Sequence, residues 1–197
     1  MKIFLLLFSL VFCSLSSQSQ EPTFNPSEIE IIRDSFGVPH IYAPTDAQVS
    51  YGLAWAHSED DFATIQLTVM AAKQLLGRHL GKDGAPIDYV VGLLRVEDIV
   101  NAHINEASSA FRKIVKGYAA GLSAYAEHHP DEVLLKRTFP VSEKDIFKAY
   151  VLQLAIQDGG DGVIQNLFNN KIEPYLDEVK GSNAFAINRN KTTDGDV

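Results

Sequence analysis

Three stretches in which apolar residues recur every three or four positions limit what this chain can fold into. The first runs through Val49, Leu53, Ala56, Phe62, Ile65, Leu67 and Val69 and continues to Leu75 and Leu76. The second takes in Phe111, Ile114, Val115, Tyr118, Ala119, Leu122 and Tyr125, and the third Ile146, Phe147, Tyr150, Val151, Leu154 and Ala155. Thr45 or Asp46 caps the first helix, and Ser142 caps the third with Asp145 three positions on as a shortened capping-box partner. The first helix is expected to break near Ser58 and to stop at Gly77 or Gly81, and Pro130 closes the second. Ile87 to Val100 predicts one helix or two short ones. Extended structure is left to the two ends. Glu28–Ile31 alternates and Ile32, Arg33 and Asp34 follow, Ser35-Phe36-Gly37 turns, and Val38–Ala43 runs back with Pro39 suited to a sheet edge. Near the other end, Asn183 to Ile187 reads as a short strand, and Asp194-Gly195 signals a hairpin whose second strand does not follow. The expected class is therefore α+β: mainly helical, with an N-terminal hairpin and a C-terminal strand that begins something larger.

The N-terminus reads as a secretory signal over residues 1–19. Lys2 supplies the positive charge, Ile3–Cys13 the apolar segment, and Ser14 to Ser19 the small, polar end. That apolar segment is too short to span a bilayer. The expected location is periplasmic or secreted, with no membrane attachment once the signal is gone. The only cysteine, Cys13, lies inside the signal, so the mature chain has neither a disulfide nor a thiol nucleophile. A formal net charge of −8 gives no basic footprint for nucleic acid.

Few residues form a chemical constellation on spacing alone. The six histidines make no His-Glu-x-x-His pattern, and there is no Gly-x-Ser-x-Gly elbow. Glu59-Asp60-Asp61 offers paired carboxylates, which are more often a solvated face or an ion-pair cluster under the hairpin. Asp158-Gly159-Gly160-Asp161-Gly162 breaks the third helix; it has hard oxygen donors for a cation but reads more simply as a loop. Gly181-Ser182 places a hydroxyl directly after a flexible residue, where Ser182 could attack the Gly181 carbonyl, but on local pattern alone it reads far more readily as a loop entering a strand.

Four motifs in one order change that weighting. Arg33-Asp34-Ser35-Phe36-Gly37-Val38-Pro39-His40-Ile41-Tyr42-Ala43 resembles the N-terminal signature of the penicillin acylase family. So do Tyr51-Gly52-Leu53-Ala54-Trp55-Ala56-His57-Ser58-Glu59-Asp60-Asp61 with Gln66, and Gly117-Tyr118-Ala119-Ala120-Gly121-Leu122. Gly181-Ser182-Asn183-Ala184-Phe185, with Thr193-Asp194-Gly195 behind it, is similar to that family's processing junction. The resemblance implies an N-terminal-nucleophile hydrolase made as an inactive precursor with a four-layer αββα sandwich. Autocatalytic cleavage between Gly181 and Ser182 would leave residues 20–181 as the α chain and 182–197 as the start of a β chain, its partner in a heterodimer. Ser182 is then both nucleophile and, through its α-amine, base. The resemblance implies hydrolysis of the amide of an N-acyl compound: a penicillin-like β-lactam, an acyl-homoserine lactone or a relative. It also implies that Gln153, Ile156 and Gln157 line the acyl pocket and that the oxyanion donors lie further along the β chain. The 197 residues alone are expected to be inactive. No cofactor is expected: Val163 stands where calcium-binding members carry glutamate, and Asp161 is the one residue placed to substitute as a calcium ligand. Two other readings stand beside this one, a non-catalytic secreted helical domain that binds a partner and a serine hydrolase of another class.

Overall fold

A computed structural model describes residues 24–157 and Asn166. After a short turn at Pro26–Glu28, β1 (Glu30–Arg33) pairs antiparallel with β2 (Pro39–Tyr42), Ile31 opposite Ile41. Six helices follow: α1 (Asp46–Ala72), α2 (Leu76–Leu80), α3 (Ala85–Leu93), α4 (Val96–His103), α5 (Ser109–His128) and α6 (Glu143–Ala155). Among the described residues the protein is thus mostly helical with one two-stranded sheet. The signal, the Asp158–Gly162 loop and the strand expected at 183–187 lie outside them.

The molecule is built on the pairing of α1 with α5. Gly117 and Gly121 stand one turn apart on the buried face of α5, and there the two backbones almost touch. A Cβ at Gly117 would lie 2.0 Å from the Ala47 carbonyl oxygen, and one at Gly121 would lie 2.4 Å from that of Tyr51. On another side of α1, Gly52 receives the hairpin, whose Ile29 and Ile41 methyls would sit 2.9 and 2.8 Å from a Cβ there. The four-residue spacing of the α5 glycines and the single glycine in the first half of α1 mark where chains had to come close.

Helix α1 does bend in the expected stretch, but the residue that bends is Asp61 (φ −158°, ψ 71°), three positions after Ser58. The Ser58 hydroxyl donates back to the Ala54 carbonyl and stays inside the helix, whereas the Asp61 carboxylate accepts from the Thr64 amide and caps the second half. The expected continuation through Leu76 also fails. The helix ends at Ala72, Gln74 takes a left-handed φ of 54°, and α2 starts afresh until Gly81 (φ 62°) closes it. The Asp88 carboxylate of α3 is the physical reason, because it accepts from the Leu76 and Gly77 amides and caps α2 from a distance in sequence. Ile87 to Val100 resolves into two helices, separated at Arg95 (φ 54°).

Three packed groups fill the interior. Met70, Leu75, Leu76, Val91, Val96 and Leu152 join the end of α1 to α3, α4 and α6. Ala54, Val69, Ala119, Leu122 and Val141 fill the α1–α5 seam. At the bend, Phe62 stacks edge-on against Tyr125 at 4.9 Å and tilts against Phe139 at 5.6 Å. Gln66, fully buried, donates to the Glu132 carbonyl and accepts from the Leu134 amide, so its amide pins the segment after α5 to α1.

Candidate active site

The described part of the expected site is the end of α6. Its start is fixed by Ser142, whose hydroxyl accepts from the Asp145 amide while the Asp145 carboxylate accepts from the Ser142 amide at 2.9 Å, a reciprocal capping box as expected. Asp145 is also the centre of a charge network. Lys73, the residue that caps the C-terminus of α1, lies 3.4 Å from it and donates to the Thr138 and Pro140 carbonyls at 2.9 and 3.2 Å. Lys148 bridges Asp145 (3.1 Å) to Glu97 of α4 (2.9 Å), and Arg112 of α5 grips Glu143 through two nitrogens at 2.7 and 3.2 Å. The network ties α6 to three helices and sets the direction in which its last turn points.

Burial by itself raises the Asp145 carboxyl, but hydrogen bonds from Ser142 and Lys148 and the charge of Lys73 outweigh it and hold it below the ordinary 3.8. Burial likewise lowers the Lys148 ammonium, and its bonds to Glu97 and Asp145 outweigh that and raise it. A depressed carboxyl adds stability that is complete above its unfolded value and is lost as pH falls through its folded one. Asp145→Asn is therefore expected to lower the urea midpoint near neutral pH, with the gap to the parent closing in acid below the ordinary 3.8. A gap that stays constant into acid would overturn this account.

At the other end of α6, Gln153, Ile156 and Gln157 all stand exposed, and Ile156 and Gln157 take a π-type turn. Tyr150 (60 % exposed) and Leu154 (47 %) extend the same open stripe at three- and four-residue spacing. This corrects the expectation that Tyr150 and Leu154 face the core; Leu152 does so instead. The structure thus gathers the three expected pocket residues on one helix end, beside an aromatic and an aliphatic side chain that sequence reasoning assigned elsewhere. Gly181, Ser182, Asp161 and Val163 lie outside the described residues. Among the described residues no group of three or more His, Cys, Asp or Glu side chains is placed to hold a metal ion. No described helix is long and apolar enough to cross a membrane.

The acidic cluster proves to be an ion-pair site under the hairpin. Arg33 on β1 reaches Glu59 at 3.0 Å, Asp60 at 2.9 Å and the Ala56 carbonyl at 3.2 Å, so Glu59 and Asp60 are partners of a guanidinium and Asp61 is a helix cap. The Arg33 motif and the Glu59 motif therefore meet in space, and their role is to clamp the hairpin on α1. A cavity of about 330 Å³ beneath it is lined by Ile29, Ile31, Tyr51, Trp55, Glu59 and His128. Of the remaining candidates, His57 hydrogen-bonds the Tyr118 hydroxyl at 3.1 Å, joining the second motif to the third. The first three motifs thus brace the hairpin, α1 and α5 against one another.

Comparison with known proteins agrees with this architecture. A thermostable penicillin G acylase from Alcaligenes faecalis superposes with a TM-score of 0.57 at 20% identity, over 81% of this chain and 97% of that one. Penicillin G acylase of Escherichia coli is 29% identical over 114 residues, which are 56% of this chain and 14% of that protein. An acyl-homoserine lactone acylase of Pseudomonas fluorescens, PvdQ, is 23% identical over 92% of this chain and 27% of its own. Penicillin acylase 2 proenzyme of a Pseudomonas species is 26% identical over 49% of this chain and 12% of its own. The chain thus spans about a quarter or less of the curated relatives it matches. Residues 28–197, from the hairpin through Gly181-Ser182, match the penicillin amidase family model, and the chain belongs to that family.

Proposed function

We propose that this chain is the leading part of a secreted or periplasmic amide hydrolase that is made as a precursor and activated by cutting itself between Gly181 and Ser182. The family match over residues 28–197, a span that includes that dipeptide, carries the reading. In this reading residues 20–181 become the α chain and Ser182 the first residue of a β chain, together enclosing an αββα sandwich.

The cut gives Ser182 a free α-amine beside its hydroxyl. An α-amine titrates at roughly 7.7–8.0, so an appreciable fraction is neutral near physiological pH and can take the hydroxyl proton. The hydroxyl oxygen bonds to the acyl carbon of an N-acyl compound, the carbon–nitrogen bond breaks, and the proton passes to the leaving amine. Water then opens the acyl-serine ester to release a carboxylic acid and restore the serine. The reaction needs no cofactor. Gln153, Ile156 and Gln157, with Tyr150 and Leu154 beside them, offer the acyl group a wall of mixed amide and apolar character. Names of relatives point to penicillin G and acyl-homoserine lactones as first substrates to try.

The test is the covalent state of the active protein. Intact mass and N-terminal sequencing of the purified full-length enzyme are expected to give two chains, the larger starting at a free Ser182. The carboxylic acid is expected to be released from penicillin G or an acyl-homoserine lactone. Amide hydrolysis by an uncut polypeptide would overturn the proposal.

A further inference from the structure

The cavity beneath the hairpin is held open by its own walls. Ile29 and Ile31 from the hairpin and Tyr51 and Trp55 from α1 supply its apolar lining, and Glu59 and His128 its polar groups. At about 330 Å³ it falls within the size range of small-molecule sites. Three rings fix Trp55: Tyr125, His128 and His129 meet it at 5.2, 5.5 and 5.9 Å, all steeply inclined. Its indole N–H donates to Glu59 at 3.0 Å. Tyr51 is buried and packs against Phe24 at 5.9 Å. Walls held in this way lose little freedom when a guest arrives.

The polar groups at the cavity are acceptors. Each Glu59 carboxylate oxygen has one protein donor, Trp55 on one and Arg33 on the other, and each has a lone pair for another. His128 Nδ1 lies 2.8 Å from the Ala124 carbonyl, which only accepts, so that nitrogen carries the proton. In the neutral ring Nε2 is then a second acceptor. Among the described residues no lysine or arginine lines the cavity. Arg33 beside it faces both Glu59 and Asp60, so one guanidinium leaves negative charge over. Burial and the charge of Glu127 together raise the Tyr51 hydroxyl above its ordinary 10.0, so a further carboxylate is felt at this wall. An anion would meet repulsion here, and a purely apolar guest would leave both acceptors without donors.

We propose that this cavity binds a small organic ammonium ion, with its N–H groups on Glu59 and His128 and its hydrocarbon part among Tyr51, Trp55 and the two hairpin isoleucines. An ammonium brings several donors and no acceptor, which is the complement of what the cavity offers. Its bond to a carboxylate is charge-assisted, and tryptophan and tyrosine rings attract such cations. The site uses the hairpin, α1 and α5 and none of the residues assigned to amide hydrolysis.

The test is a ligand-observed NMR titration of the full-length protein with cyclohexylammonium, and with cyclohexanol as a neutral molecule of the same shape. The amine is expected to saturate one site with a Kd of about 1 mM or tighter, and the alcohol to bind at least about tenfold more weakly. Glu59→Gln and His128→Leu, both at exposed positions, are each expected to weaken the amine by about five- to tenfold. Asp60→Asn is the control: Asp60 also holds Arg33 but does not line the cavity, so its loss is expected to change the affinity by less than about twofold. No saturable binding, equal binding of amine and alcohol, an unchanged affinity in either lining variant, or an equal loss in Asp60→Asn would overturn the proposal. None of these readouts needs turnover. A protein that is never cut at Ser182 yet shows the expected pattern would sink the hydrolase mechanism alone, and a cut, active protein without it would sink this inference alone.

Discussion

A precursor carrying Ser182→Ala is expected to stay a single polypeptide and to lose amide hydrolysis by at least about 10⁴-fold, the scale seen when a hydrolase loses its nucleophile. Both losses follow from one oxygen. In the proposed mechanism the Ser182 hydroxyl first attacks the preceding Gly181 carbonyl, and without it the peptide bond would have no internal nucleophile. After the cut the same oxygen would attack substrate, and without it the α-amine would have no proton to take. The pairing of the losses is the informative part. A variant that is cut normally but inactive would make Ser182 a catalytic residue in an enzyme matured by other means. One that stays intact and still hydrolyses would remove Ser182 from both roles. Denaturing gels read the first loss, and release of free acid from an N-acyl amide reads the second.

The second large effect concerns stability. Gly117→Ala is expected to destabilise the protein by about 2–4 kcal/mol, read as a lower urea midpoint. The added methyl would stand 2.0 Å from the Ala47 carbonyl oxygen, and the obstacle is helix backbone, which cannot rotate aside. The helices must separate, and the Ala54, Ala119 and Leu122 contacts beside the glycine loosen with them. The gain of about 1 kcal/mol from putting alanine for glycine in a helix offsets only part of this. Gly37 is the control. Its Cβ position has nothing within 4 Å and its φ of 82° lies in a hairpin turn where asparagine is tolerated, so Gly37→Asn is expected to cost less than about 1 kcal/mol. Equal effects at the two positions would show that the α1–α5 approach is not the tight contact described.

The elements most legible in the sequence were those whose signals are local. Alternation and Gly37 marked the hairpin, Thr45 and Ser142 marked helix starts by their own side chains, and the α5 period marked its buried face. What escaped was decided at a distance. Ser58 and Asp61 both have side chains able to disturb a helix, and only the structure shows that one bonds backward and the other caps forward. The end of α1 depends on Asp88, which belongs to a different helix. Tyr150 and Leu154 have the right spacing for a core face, but Asp145 and Lys148, tied to Lys73 and Glu97, turn α6 so that they point outward. The candidate site was legible only through the order of its motifs. Spacing alone does not single out Ser182, and the Arg33, Glu59 and Gln66 positions prove to brace the scaffold.

The bend at Asp61 has a bearing on how the molecule comes apart. A straight helix of 27 residues would be about 40 Å of continuous hydrogen bonding and would tend to melt as one piece. An elbow interrupts that continuity. The arm before it holds the hairpin and the glycine face of α5, and the arm after it holds α3 and α6, with Phe62 at the hinge between them. Helix α5 runs past the elbow, because Ala54 before it and Val69 after it share the Ala119 and Leu122 contacts, so the hairpin end and the α3–α6 end can each fray while that common seam keeps its shape.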